Sequence, residues 1–265
     1  MLNAIVLGLV QALTEFLPVS SSGHLVIAKS LLGVREVGIS LEVVTHFATV
    51  VAVIVYLRKR IGRMLLAGSK GLFYRGTGML ETEMRDLRLL VYLVLGTLPA
   101  AVVGLALRDA IGRLFENATA TSAMLIITGI FVVLTGRLSK EKTALRLPQA
   151  LAIGVAQAVA IVPGLSRSGL TVGTGLALGV GKREAFEFSL LLSVPAVLAA
   201  SALEVLGGRV GGEPSVIVAA ALTALLGGYV SISLLFRAIV KNKFHLFGYY
   251  LIPAGLVALV LTRVL

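Results

Sequence analysis

The stretch GLVQALTEFLPVSSSG, residues 8–23, decides how this chain is read. It begins as an apolar helix, then meets Thr14, Glu15, Pro18 and three consecutive serines, Ser20, Ser21 and Ser22. A simple membrane span does not carry such an interruption. A cleavable signal would show a basic flank and an A-x-A-like site, and Met1–Leu13 is expected to be neither signal nor span. The stretch also recurs. GVAQAVAIVPGLSRSG, residues 154–169, aligns on it without gaps at an offset of 146. Gly8/Gly154, Gln11/Gln157, Ala12/Ala158, Ser20/Ser166, Ser22/Ser168 and Gly23/Gly169 are identical. Each copy lies in a long apolar region, 1–32 and 147–180, broken halfway by Pro, Gly and serines. Non-helical backbone at membrane depth is tolerated only where protein or a wet cavity surrounds it. Both regions therefore read as re-entrant helical hairpins.

Outward from these hairpins, the chain is membrane-like. Of its 265 residues 57% are hydrophobic and 14% charged, against roughly 25% charged in a soluble domain. Mean hydropathy is +0.99. Six segments have the length and apolarity of spans, at about 41–57, 89–107, 121–136, 186–206, 215–236 and 246–264. There is no Cys, which excludes disulfides and thiolate metal sites. The net charge of +11 is read as the positive-inside bias and not as a nucleic-acid footprint. With 58–88 in the cytoplasm, the loops 58–88, 137–146, 181–184 and 237–245 hold 17 of the 24 Lys and Arg. The opposite loops, 33–40, 108–120 and 207–214, hold only Arg35, Arg108, Arg113 and Arg209. Both chain ends then lie outside, with the first hairpin entering from outside and the second from inside.

The fold class expected is an all-α polytopic membrane protein of six transmembrane helices plus two re-entrant helical hairpins. It forms a single integral membrane domain, 1–265. Each half, repeat one 1–136 and repeat two 147–265, has one hairpin and three spans. An odd number of crossings turns the second half upside down, giving an inverted-topology repeat. Broken helices from opposite faces meet near the midplane, and the two polar tips converge there. The oligomeric state stays open.

Ionisable groups inside membrane segments are costly, so each is a candidate for function. Arg167 offers a planar fork of donors for phosphate oxygens. Ser166, Ser168 and Thr171 add hydroxyls, and Gly164 and Gly169 allow close backbone approach to an anion at a helix start. On the other tip Ser20, Ser21 and Ser22 are hydroxyl candidates, with Glu15 or His24 as the base. Phosphoryl transfer needs these parts, because positioning and charge stabilisation carry most of its catalysis. Glu15 and Arg167 also suit a buried ion pair that pins the hairpins together, a reading compatible with the first. His46 and His245 read as structural residues.

At these residues the chain resembles the undecaprenyl-diphosphate phosphatases of the bacitracin-resistance family. The first family motif reads QALTEFLPVSSSGH, Gln11 to His24, and the second reads PGLSRSGLT, Pro163 to Thr171. The resemblance covers essentially the whole chain. It implies a multi-pass enzyme of the bacterial plasma membrane, with its site towards the outer face. That enzyme removes the terminal phosphate of a polyprenyl diphosphate and returns undecaprenyl phosphate, the carrier lipid for peptidoglycan and envelope glycans. It further implies Ser21 as nucleophile, Glu15 as base or metal-linked carboxylate, Arg167 as phosphate clamp and His24 as an assisting group. Gln11, Ser20, Ser22, Gly164, Ser166, Ser168 and Thr171 would contact substrate, and a divalent cation, Mg or Ca, would assist. Direct attack by Ser21 and attack by water activated by Glu15 or His24 both stay open. Gln11 stands where family members also carry Glu, leaving Glu15 as the only acid at that tip. The rival reading is a secondary transporter or flippase for an anionic or phosphorylated lipid, which shares the inverted plan but has no chemical need of the Ser21 hydroxyl.

Overall fold

The computed structural model describes residues 2–24, 39–74, 78–115, 117–138, 143–206 and 213–264. Among them the secondary structure is helical. The elements are α1 (Leu2–Phe16), α2 (Ile39–Tyr74), α3 (Glu81–Ala106), α4 (Arg108–Phe115), α5 (Ala118–Leu138), α6 (Leu147–Val159), α7 (Arg167–Ala177), α8 (Lys182–Leu206), α9 (Pro214–Val240) and α10 (Leu246–Val264). The expected outgoing arm of a first hairpin, 25–32, falls outside the described residues, as do Arg35 and Arg209 of the expected outer loops.

Among the described residues four helices are long and apolar enough to cross a membrane: α3, α5, α9 and the Lys182–Ala202 part of α8. Two shorter apolar helices, Leu147–Val159 and Leu246–Thr262, accompany them. The burial pattern agrees. Leu226 and Val102 are 67% and 64% exposed, whereas Gln11, Glu15, Ser20, Ser166, Ser168 and Thr171 are buried. In water that distribution would be costly, at roughly 25 cal/mol per Å² of exposed apolar surface. Lipid removes the cost. The chain is an all-α polytopic membrane protein.

All six expected spans are helices, and two expected loops are more ordered than the sequence suggested. Residues 58–88 are mostly helix, because α2 continues through its basic segment to Tyr74 and α3 begins at Glu81. At 1.5 Å per residue the 36-residue α2 is about 54 Å long, well beyond a hydrocarbon core of roughly 30 Å. The protruding end is held by charge. Asp86, buried at the start of α3, binds Arg60 at 3.1 Å and Arg63 at 3.3 Å. Glu187 of α8 sits 3.8 Å from Arg60 and 2.8 Å from Arg183, and Glu184 accepts from Arg85 at 3.4 Å. Lys182 reaches Asn242 beyond α9. The basic ends that loop charge assigned to one side thus lie together in space. Within 108–120 lies a short helix, α4, with Asp109 in its first turn and Arg113 in its last.

Both serine-bearing regions are helix–break–helix. α1 stops at Phe16, and helix resumes at Ser21. Pro18 lacks the N–H that a continuing helix needs and biases Leu17 away from helical geometry. Ser20 then turns the chain at φ 66°, an uncommon conformation for a non-glycine residue. α6 stops at Val159 before Pro163, and α7 starts after Ser166, whose Oγ caps it by accepting from the Gly169 N–H at 3.2 Å. Gly164 in this break has φ 88°, and a Cβ there would strike the Thr121 carbonyl. Only glycine fits.

The incoming arms pack on different partners. α1 lies on α9, where a Cβ at Gly8 would come within 3.1 Å of the Ala220 carbonyl. α6 lies on α3 even more tightly, with Gly154 against the Gly96 carbonyl. Small residues at such seams let backbones approach.

Candidate functional site

The two breaks meet. Leu17 at the end of the first arm accepts a hydrogen bond from the Ser168 hydroxyl at 3.1 Å, and the Gly164 N–H donates to Ser22 Oγ at 3.1 Å. Two reciprocal bonds therefore fasten one break to the other. Within each tip the outer serines bond across the middle residue, Ser20 to Ser22 and Ser166 to Ser168, each at 3.2 Å. The middle residues, Ser21 and Arg167, are left free for other partners.

Both converge on Glu15. The Ser21 hydroxyl donates to Glu15 Oε2 at 2.9 Å, and Arg167 Nη2 donates to Glu15 Oε1 at 2.5 Å. Gln11, one helical turn before Glu15, donates its amide to Oε2 at 2.9 Å and fixes the carboxylate from behind. A hydroxyl bonded to a fixed carboxylate is a nucleophile with its base in place. Arg167 uses one donor here and keeps others for an anion. It is also the first residue of α7, where backbone N–H groups lack intrahelical partners and favour negative charge.

These groups line one end of a cavity of about 880 Å³. Glu15, Ser20, Ser21, Ser22, Ser166 and Arg167 are on its wall. Gln11, Gly164, Ser168 and Thr171 are behind it. Thr171 bonds the Arg167 carbonyl at 2.8 Å and Ser189 of α8 at 2.5 Å, which locks the start of α7 to its neighbour. His24 is also off the wall. Its ring stacks on Tyr250 of α10 and bonds the Tyr250 hydroxyl at 2.6 Å and the Ser20 carbonyl at 2.9 Å.

Two wall residues escaped the sequence reading. His46 of α2 lines the cavity with Nε2 3.7 Å from Glu15 Oε2. Its position early in an apolar span carried no motif, and only tertiary packing reveals it. Gln157 was visible as the repeat mate of Gln11 but was not taken as a site residue. It is buried on the wall and donates to the Leu192 carbonyl at 3.2 Å, in the turn of α8 that Pro195 interrupts. Away from these groups the wall is mostly apolar, with Ala100, Ala101, Gly104 and Leu105 of α3, Ile161, and Ala196, Val197, Ala199 and Ala200 of α8.

Residues 4–257 match the family described as Bacitracin resistance protein BacA. The chain belongs to that family. Among its curated relatives, a protein of Syntrophotalea carbinolica named undecaprenyl-diphosphatase is 39% identical, covering 94% of this chain and 94% of the relative. Proteins with the same name from Desulforapulum autotrophicum and Rhodopirellula baltica are each 35% identical. The first covers 97% of both chains and the second 98% of both. Likeness of this extent spans both serine-bearing breaks and every helix between them.

Proposed function

We propose that this BacA-family chain is an undecaprenyl-diphosphate phosphatase, which hydrolyses the terminal phosphate of a polyprenyl diphosphate and regenerates undecaprenyl phosphate for peptidoglycan and envelope glycan synthesis. One observation carries the reading. A serine hydroxyl, a carboxylate and a guanidinium are bonded in series, Ser21–Glu15–Arg167, on the wall of a cavity that is otherwise mostly apolar, lined by alanines, Gly104, Leu105, Ile161 and Val197. That cavity matches a charged head on an apolar tail. None of the relatives named above bears a transporter's name, and the transporter reading gains no support.

In the first step Glu15 takes the proton of Ser21, and Oγ forms a bond to the terminal phosphorus. The bond from that phosphorus to the bridging oxygen breaks, and its electron pair leaves with undecaprenyl phosphate. Water then attacks the phosphoserine, the P–Oγ bond breaks, and the proton on Glu15 returns to Ser21. Inorganic phosphate departs. Arg167 and the N-terminal N–H groups of α7 hold the equatorial oxygens, where charge builds up. Gln11, Ser168 and Thr171 position these groups, and Ser20, Ser22 and Ser166 shape the wall. His24 holds the Ser20 turn against α10.

A divalent cation, Mg or Ca, would meet one carboxylate with both oxygens bonded and a guanidinium 2.5 Å away. Among the described residues no three His, Asp or Glu groups gather that could hold an ion. This donor set does not fit a resident metal, and the steps above need none.

For the architecture we propose one integral membrane domain built as an inverted repeat with two re-entrant hairpins. Helix packing supports it: α1 lies on α9 while its repeat mate α6 lies on α3. The clustering of basic ends supports a cytoplasmic side at 58–88, and hence a site reached from the outer face of the plasma membrane.

The test is phosphate release from undecaprenyl diphosphate in detergent, with added Mg or Ca and with chelator. Wild type is expected to release phosphate, and Ser21→Ala to lose about 10²-fold or more, the scale of a removed catalytic group. Activity of Ser21→Ala near wild type would sink the Ser21 route, and no release by wild type under any cation would sink the phosphatase reading.

A further inference from the structure

The proposed reaction leaves one proton without an acceptor. A fully ionised polyprenyl diphosphate and water give polyprenyl phosphate, hydrogen phosphate and one proton. Glu15 takes a proton from Ser21 in the first step and returns it in the second, so it carries none away. The attacking water must therefore lose a proton to another group while Glu15 is already protonated. Gln11 offers an amide, which is no base, and Arg167 stays protonated. His24 has Nδ1 on the Ser20 carbonyl and Nε2 on the Tyr250 hydroxyl, and it stands off the cavity wall.

His46 of α2 meets the need. Among the described residues, the charged or titratable groups on the wall are Glu15, Arg167 and His46. The His46 side chain is 34% exposed against 7% for Glu15, so the imidazole opens to the cavity that water and diphosphate must enter. Its Nε2 is 3.7 Å from Glu15 Oε2, the oxygen that accepts from Ser21 at 2.9 Å. A contact of 3.7 Å is too long for a hydrogen bond, so His46 does not hold the carboxylate as Gln11 does at 2.9 Å. A phosphoryl group on Ser21 and a water attacking it instead stand within reach of the imidazole, directly or through one further water. Imidazole is also the side chain that ordinarily takes and gives protons near neutral pH. Resting on the phosphatase reading, we infer that His46 is the base for the second step. The water O–H bond breaks, its proton goes to the His46 imidazole, and the oxygen bonds to phosphorus. The P–Oγ bond breaks, its electron pair stays on Ser21 Oγ, and that oxygen takes the proton held by Glu15. The imidazolium then gives its proton to solvent, which completes the balance. The first step makes no use of His46.

The experiment is rapid-quench kinetics of the full-length protein in detergent, with added Mg and with chelator, on undecaprenyl diphosphate radiolabelled in its terminal phosphate. His46→Gln keeps a polar side chain on the wall but takes no proton. It is expected to form phosphoserine at position 21 at about the wild-type rate, while hydrolysis of that phosphoserine falls about 10²-fold, the scale of a lost general base. Label then accumulates on Ser21, and undecaprenyl phosphate appears in a burst that approaches one per protein. His46→Ala is expected to behave likewise, with hydrolysis partly restored by added imidazole. Slow turnover without a burst in His46→Gln and without imidazole rescue in His46→Ala overturns the role of His46. Turnover at the wild-type rate in both variants overturns it too, and sends the water's proton to the phosphate oxygens. Either result leaves the phosphatase reading standing, because wild type still releases phosphate. Failure of wild type to release undecaprenyl phosphate overturns that reading and the role of His46 together.

Discussion

The tips at Ser20–Ser22 and Ser166–Ser168 are copies that have divided one task. Their outer serines behave alike: each pair bonds at 3.2 Å, and the last serine of each reaches the opposite hairpin at 3.1 Å. Their middle residues do not. Position 21 is a hydroxyl and position 167 a guanidinium, and Glu15, which serves both, faces Ile161 across the alignment. The difference teaches that the repeated serines build the junction, while the unrepeated residues are the ones to which the proposed reaction gives the chemistry. The copies diverge at two aligned positions that matter to the proposed reaction, 15/161 and 21/167.

The sharpest way to break that division is at Arg167. Arg167→Ala removes the clamp and leaves Glu15 buried without its cation. Phosphate release is expected to fall about 10²–10³-fold, or about 2.7–4 kcal/mol of transition-state stabilisation. Arg167→Lys keeps the charge but not the fork that bridges carboxylate and phosphate, so it should recover only part of the rate. Steady-state kcat and KM in detergent decide this. Full activity in Arg167→Lys would mean that position 167 supplies charge alone.

A smaller effect separates the two incoming arms. Gly8 and Gly154 are repeat mates, yet a Cβ at Gly8 finds the Ala220 carbonyl at 3.1 Å, whereas at Gly154 it would overlap the backbone of Gly96. Gly154→Ala must push α6 off α3 and is expected to cost about 1–3 kcal/mol, as overpacking does. Gly8→Ala needs a shift of a few tenths of an ångström and should cost clearly less. Thermal unfolding of the two variants in detergent measures the gap. Equal midpoints would show that the α3–α6 seam is no tighter than its counterpart.

Much of this was legible beforehand. Hydropathy and length located the helices, and the gapless repeat located both breaks, because Pro and Ser act on the chain locally. The pairing of Glu15 with Arg167 followed from the cost of an isolated charge in lipid. Three things were not legible. α2 extends through the basic segment 58–74 because Asp86 and Glu187 come back to meet Arg60, a contact made by distant parts of the chain. His46 reaches Glu15 only because α2 packs beside α1, and nothing local to VVTHFAT marks it. His24 and Thr171, prominent in their motifs, spend their hydrogen bonds on Tyr250 and Ser189. A motif states which residues stand together, and tertiary packing states which way each one faces.

The finest comparison is between Ser22 and Ser168. Each ties its own tip to the other hairpin, one as acceptor from the Gly164 N–H and one as donor to the Leu17 carbonyl. Neither touches Glu15, and only Ser22 lines the cavity. If the outer serines are scaffold, Ser22→Ala and Ser168→Ala should act alike. Each should lower stability by about 1 kcal/mol, the net value of one hydrogen bond, and shift the unfolding midpoint by about 2–4 °C. Each should keep phosphate release within about tenfold of wild type, since 1.4 kcal/mol is the most a tip displaced by that amount would lose. A collapse of activity in Ser22→Ala to the level of Ser21→Ala, with Ser168→Ala unaffected, would place Ser22 among the groups that touch the diphosphate. The two tips would then differ in their outer residues as well, and the junction would be scaffold on the Arg167 side only.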